Sequence, residues 1–123
     1  MYLTKDFNSI EFACKDGTPV PTSLMGNVRE LAENLQVIRD HLGGERLSVL
    51  SGYRTKSHNE KVGGKTNSQH LLAKASDLTT KKLRPKQLAA LIEKLILEKK
   101  IKNGGIGVYP GFVHYDIGPV RRW

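Results

Sequence analysis

Two short stretches carry the residue types of a single metal site: Ser68-Gln69-His70-Leu71-Leu72-Ala73-Lys74-Ala75-Ser76-Asp77 and, further on, Phe112-Val113-His114-Tyr115-Asp116. Together they offer two imidazoles and at least one carboxylate, the donor set of a catalytic zinc with one coordination position left open. A structural zinc is more often closed by thiolates, and this chain has one cysteine, Cys14. An open zinc site acidifies water and polarises carbonyls, so these residues point toward hydrolysis.

The spacing within each stretch limits what each residue can do. If residues 112–117 form a strand, His114 and Asp116 share one face while Val113, Tyr115 and Ile117 share the other. His114 is then a candidate metal ligand. Asp116, roughly 7 Å further along by the strand rise, is placed to orient a ligand, hold a water or act as a base. His70 and Asp77 lie too far apart for adjacent helical turns, and fit a turn holding His70 followed by a strand presenting Asp77. Arg54 follows Leu50-Ser51-Gly52-Tyr53, where a strand ends in a glycine turn, and a guanidinium there can grip a carboxylate in bidentate fashion. His41 ends a helix, where an imidazolium favours the negative pole, a structural role. His58, beside Asn59, reads as a surface residue within reach of a site rim. Cys14 reads as a small, partly buried hydrophobe.

The elements that must position these groups follow from hydrophobic periodicity. Leu24, Val28, Leu31, Leu35, Ile38 and Leu42 make one apolar helical stripe, capped by Thr22 or Ser23 and ended by Gly43-Gly44. A second helix is expected from Pro85 to about Lys100, with Leu88, Leu91, Ile92, Leu95 and Ile96 inward and Asn103-Gly104-Gly105 as its stop. Strands are expected at 46–51, 75–79, 106–109 and 112–117, and residues 55–66 read as a loop. The order is that of an α+β domain, a small sheet carrying helices.

Size and composition bound the rest. At 123 residues the chain is expected to be one domain, residues 1–123, with a single core. No apolar run approaches the ~18 residues of a membrane span, so no membrane insertion is expected. Met-Tyr-Leu-Thr-Lys-Asp-Phe at the N-terminus has no secretory character, which predicts synthesis in the cytoplasm and another route to any outside target. One cysteine excludes an internal disulfide. The net charge of +8 is concentrated at 81–102, where eight basic residues face Glu93 and Glu98. Such a face favours polyanions such as nucleic acid, anionic lipid or bacterial wall polymers. It lacks the aromatic interleaving of a nucleic-acid surface, and no nucleic-acid partner is expected.

The motifs taken together resemble the zinc D-Ala-D-Ala carboxypeptidase superfamily, most closely its murein endopeptidase-like branch. The resemblance rests on Ser51-Gly52-Tyr53-Arg54, His58-Asn59, Val62-Gly63-Gly64, Asn67-Ser68-Gln69-His70 to Asp77, Gly105-Ile106-Gly107-Val108-Tyr109, Gly111-Phe112-Val113-His114-Tyr115-Asp116-Ile117-Gly118 and Arg121-Arg122-Trp123, and covers nearly the whole chain. It implies an α+β fold with a central antiparallel sheet, and one Zn2+ held by His70, Asp77 and His114. It further implies a metallopeptidase acting on the peptide stems or cross-links of peptidoglycan; with the small size, the basic face and the lack of a signal, a phage-type lytic protein and a monomer are expected. Arg54 is then expected to engage a substrate carboxylate or support the site, and Ser68 to lie near the bound peptide. Many relatives carry an acidic general base three residues before the last histidine ligand, where this chain has Gly111. That leaves Asp116 as the expected base. It also leaves open a catalytically silent zinc module that binds wall peptides or a protein partner.

Overall fold

The computed structural model describes all 123 residues. Its elements are α1 (Met25–Asp40), β1 (Ser48–Ser51), α2 (Lys56–Lys61), β2 (Ala75–Thr79), α3 (Pro85–Leu97), β3 (Gly105–Val108), β4 (Val113–Asp116) and β5 (Arg121–Arg122), with single 3-10 turns at Ser9–Phe12, Thr22–Leu24 and Gln69–Leu72. The class is α+β, as the periodicity predicts. The five strands form one sheet in the order β1-β2-β4-β3-β5. Four of them run antiparallel to their neighbours, but β5 lies parallel to β3, so the sheet is mixed rather than wholly antiparallel. A two-residue edge strand of arginines after Pro119 has no apolar alternation by which periodicity could reveal it.

The two long helices, α1 and α3, pack on one face of the sheet. Val28, Leu31, Leu35 and Ile38 of α1 and Leu88, Ile92 and Leu95 of α3 are fully or almost fully buried, meeting Leu78, Ile106, Val113 and Tyr115 from the strands. Truncating one such leucine to alanine costs about 2–5 kcal/mol. Two polar groups on this face are satisfied internally: Tyr115 Oη donates to the Lys102 carbonyl at 2.6 Å, and Ser76 Oγ to the Tyr115 carbonyl at 3.2 Å. The first helix begins later than its stripe does, because Thr22–Leu24 forms a 3-10 turn and no side chain caps α1. Residues 55–66 contain α2, one and a half turns started by Thr55, whose Oγ1 accepts from His58 N. The basic segment keeps its apolar stripe in the core while Lys86, Lys94, Lys99 and Lys100 face solvent.

Candidate metal centre

Strand register builds the site on the other face of the sheet. Asp77 of β2 sits directly opposite His114 of β4, and Ala75 opposite Asp116. Opposed residues on one face hold their Cβ atoms about 5 Å apart, within side-chain reach. β3 flanks them with glycines, Gly107 opposite His114 and Gly105 opposite Asp116. Both are needed for space: a Cβ on Gly105 would enter the Asp116 carboxylate, and one on Gly107 would enter the Trp123 indole. The third group, His70, comes from the Gln69–Leu72 turn, which Ser68 caps by accepting from His70 N at 3.2 Å. Ala73 closes that turn in the left-handed region, at φ 56°.

His70, Asp77 and His114 converge. Asp77 Oδ1 lies 3.3 Å from His70 Nε2 and 3.2 Å from His114 Nδ1. All three residues are buried, and the two rings meet edge to face at 5.2 Å. The outer nitrogens are committed elsewhere. His70 Nδ1 donates to the Gly52 carbonyl at 2.7 Å, and His114 Nε2 donates to Asp116 Oδ2 at 2.6 Å. These partners set the tautomers, so the lone pairs of His70 Nε2 and His114 Nδ1 point to a common place beside Asp77 Oδ1. Ligands of one tetrahedral zinc stand about 3.3–3.5 Å apart, given metal–ligand distances near 2.0–2.2 Å. The donor set therefore fits a zinc ion, with outer hydrogen bonds of the kind that orient metal-binding histidines.

Charge follows the same geometry. Burial raises the Asp77 carboxyl's pKa, but in the metal-free protein a proton on the inner nitrogen of His114 or His70, where a metal ion would otherwise stand, outweighs it and holds the group well below its ordinary range. Burial likewise opposes ionisation of Asp116, and His114 together with the Gly105 and Gly118 backbone N–H groups wins there too. For His114, burial lowers the pKa while its bonds to Asp116 and Asp77 raise it above the ordinary 6.5.

Asp116 does not face the open cleft. Its side chain is fully buried, and four donors take its oxygens: His114 Nε2 (2.6 Å) and Arg121 Nη2 (2.8 Å) on Oδ2, Gly105 N (3.0 Å) and Gly118 N (2.9 Å) on Oδ1. Arg54 does reach the centre. It donates to Asp77 Oδ2 (3.2 Å), Asn59 Oδ1 (3.2 Å) and Ser51 Oγ (3.1 Å), so this guanidinium holds the oxygen of Asp77 that the imidazoles leave free.

Above the three groups opens a cleft of about 320 Å³. Arg54 and Ser68 line it, as do Lys65, Asn67, Gln69, Tyr109, Phe112, Arg121 and Trp123, which, Lys65 apart, stand in the motifs of the resemblance without a role assigned to them there. Tyr109 and Phe112 stack at 4.5 Å, Trp123 Nε1 donates to Tyr109 Oη at 2.7 Å, and Arg121 lies 4.8 Å over the Trp123 ring. Asp77 is the only carboxylate in the lining. His41 stands away from the cleft and bonds the Val37 carbonyl through Nδ1 at 2.8 Å, closing α1. His58 is absent from the lining as well, and clusters instead with Cys14 and Asp16.

The model of the Peptidase M15 family matches residues 3–116, nearly the whole chain. A protein of Haemophilus influenzae named a probable peptidoglycan L,D-endopeptidase MepK is 34% identical over 95 residues, which cover 70% of this chain and 48% of the relative. The chain thus spans about half the length of that curated relative.

Proposed function

Because the chain belongs to the Peptidase M15 family, we propose that it is a zinc-dependent peptidase that cleaves an amide bond in peptidoglycan stem peptides or cross-links. The observation that carries this reading is the convergence of His70 Nε2, Asp77 Oδ1 and His114 Nδ1 at the floor of an open cleft, each imidazole turned inward by a bond on its outer nitrogen. The name of the Haemophilus relative supports the substrate class.

The zinc, when bound, supplies Lewis-acid chemistry, acidifying a water and polarising the scissile carbonyl. The chain's own residues supply geometry and charge. His70, Asp77 and His114 would hold the ion at the floor of the cleft. Arg54 fixes Asp77 through Oδ2 and turns part of its guanidinium to the cleft, where a substrate carboxylate can share it. Arg121 and Lys65 add positive charge to the cleft lining, which suits a peptide bearing free carboxylates. Ser68, the cap of the His70 turn, lines the cleft and would lie beside a bound peptide. Asp116 we assign to orientation of His114 rather than to proton transfer, since all its bonds are taken and none faces substrate.

One observation favours a second reading, a zinc module that binds wall peptides without cutting them: the cleft holds no carboxylate beyond the ligand Asp77 to carry a proton. Mass analysis of purified peptidoglycan after incubation with the protein separates the two. New stem-peptide fragments, lost with a chelator and restored by zinc, support the peptidase and identify the bond, whether carboxypeptidase or endopeptidase. Bound zinc with retained peptide affinity and no fragments supports the silent module.

A further inference from the structure

Cys14, Asp16 and His58 form a second group of metal-binding side chains, on the N-terminal side of α2 and outside the cleft lining. Their donor atoms, one thiol sulfur, one carboxylate oxygen and one ring nitrogen, lie within 4.8 Å of one another. The first two belong to a tight turn, closed by Cys14 N to the Thr18 carbonyl at 2.8 Å and Gly17 N to the Cys14 carbonyl at 3.0 Å, with Gly17 at φ 98°. His58 comes from the first turn of α2, more than forty residues away. Thr55 Oγ1 stands between the two elements, donating to Asp16 Oδ2 at 2.7 Å and lying 3.9 Å from Cys14 Sγ. Asp16 Oδ1 accepts from Thr18 N at 2.9 Å. These bonds hold the Asp16 carboxyl well below its ordinary pKa, with Thr55 the largest cause, so it stays an anion.

We propose that Cys14, Asp16 and His58 bind a second transition-metal ion, of the borderline-soft divalent class that includes zinc and cobalt. The donor chemistry selects that class. A thiolate with an imidazole excludes magnesium and calcium, which take oxygen ligands, whereas sulfur, nitrogen and oxygen together suit zinc. One thiolate and one carboxylate neutralise a divalent ion, and loss of the Cys14 proton to solvent accompanies binding. Closing the three donors to the ~3.3–3.8 Å spacing of a tetrahedral site needs a shift of about 1 Å. The exposed Asp16 and half-exposed His58 side chains allow that movement. The ion would join the Cys14–Thr18 turn to α2, whose next residue, the buried Asn59, holds Arg54 at 3.2 Å. It braces the element that positions the cleft's guanidinium.

The test uses the full chain, stripped of metal by a chelator and titrated with Co2+. Thiolate ligation gives a sulfur-to-cobalt charge-transfer absorption in the near ultraviolet, and the cleft site has no sulfur. That absorption is therefore independent of the peptidase reading and survives His114→Ala. The expected result is a saturable band in the wild type, abolished by Cys14→Ser. His58→Ala weakens Co2+ binding at this band at least ~10-fold, the lower bound seen even when outer partners of a ligand are removed. His58 is half-exposed, so its variant keeps the test valid if the buried Cys14 tolerates no change. Absence of the band in the wild type, or a band with unchanged affinity in both His58→Ala and Asp16→Asn, overturns the site.

Discussion

Replacing Asp116 with asparagine distinguishes an orienting role from a proton-carrying one. The substitution keeps the shape of a fully buried side chain but exchanges one acceptor oxygen for a donor NH2. With the NH2 toward His114 Nε2 and Arg121 Nη2, it faces two donors now 2.6 and 2.8 Å from Oδ2, and His114 can relieve the conflict only by moving its proton to Nδ1. That proton occupies the lone pair that points at Asp77 and the metal position. With the NH2 toward Gly105 N and Gly118 N instead, it faces two buried backbone donors at 3.0 and 2.9 Å. Either way about two charge-assisted hydrogen bonds are lost, each worth ~1.5–3 kcal/mol. Asp116→Asn is therefore expected to destabilise the metal-free fold by about 2–4 kcal/mol, part of the loss being recovered by relaxation at the exposed Arg121. Zinc affinity is expected to fall ~10–100-fold, the usual effect of removing a partner that orients a metal-bound histidine. Denaturant unfolding and competition against a zinc-binding dye measure the two effects. A variant that keeps wild-type zinc affinity and loses only turnover refutes this reasoning and makes Asp116 the base.

Other perturbations bear on different parts of the account. His114→Ala is expected to abolish peptide release from peptidoglycan, and added zinc should restore the chelated wild type but not the variant. Gly107→Ala places a methyl group against the exposed Trp123 indole, which is expected to be displaced with little loss of stability. Trp123 is the only tryptophan, so its fluorescence reports the displacement directly. Arg54→Lys removes a fork that bonds Asp77, Asn59 and Ser51 at once, and zinc affinity and turnover should both fall, as read by dye competition and fragment release. In the metal-free protein, Asp116 is depressed from 3.8, so its stabilisation is present above that pH and is lost as the carboxylate protonates in acid. His114 is raised from 6.5, so its contribution is present below 6.5 and fades as the pH rises through the higher folded value. Urea midpoints of the metal-free protein should accordingly be highest between these two values. Zinc binding should weaken on acidification from above pH 6.5 downward, since the same proton competes with the ion.

Much of this arrangement is legible in the sequence, and the exceptions have physical causes. The stripes of α1 and α3 declare themselves because helical burial repeats at 3.6 residues, and the alternation around His114 fixes its face because strand period is two. Residue type and resemblance single out His70, Asp77 and His114, and the β2–β4 register then shows how Asp77 comes to face His114. The local pattern places Asp116 on the face of His114 but cannot show the depth of that face. Arg121 closes over it from beyond β4, and the bare Gly105 lets the carboxylate sink into the sheet. Tyr109, Phe112 and Trp123 stand in motifs of the resemblance, but their meeting as one aromatic wall is not legible there, because a hairpin and a two-residue parallel edge strand assemble it. His58 illustrates the opposite case: it lies in a stretch that reads as loop, and only the short α2 turns it toward Cys14 and Asp16.

Diffraction from crystals grown with zinc, recorded with anomalous signal at the zinc edge, tests the central assignment most directly. The account predicts a peak about 2.0–2.2 Å from His70 Nε2, Asp77 Oδ1 and His114 Nδ1, with the His114 Nε2 to Asp116 bond intact. A cleft without a peak, or an ion bound through His114 Nε2 with Asp116 displaced, contradicts it.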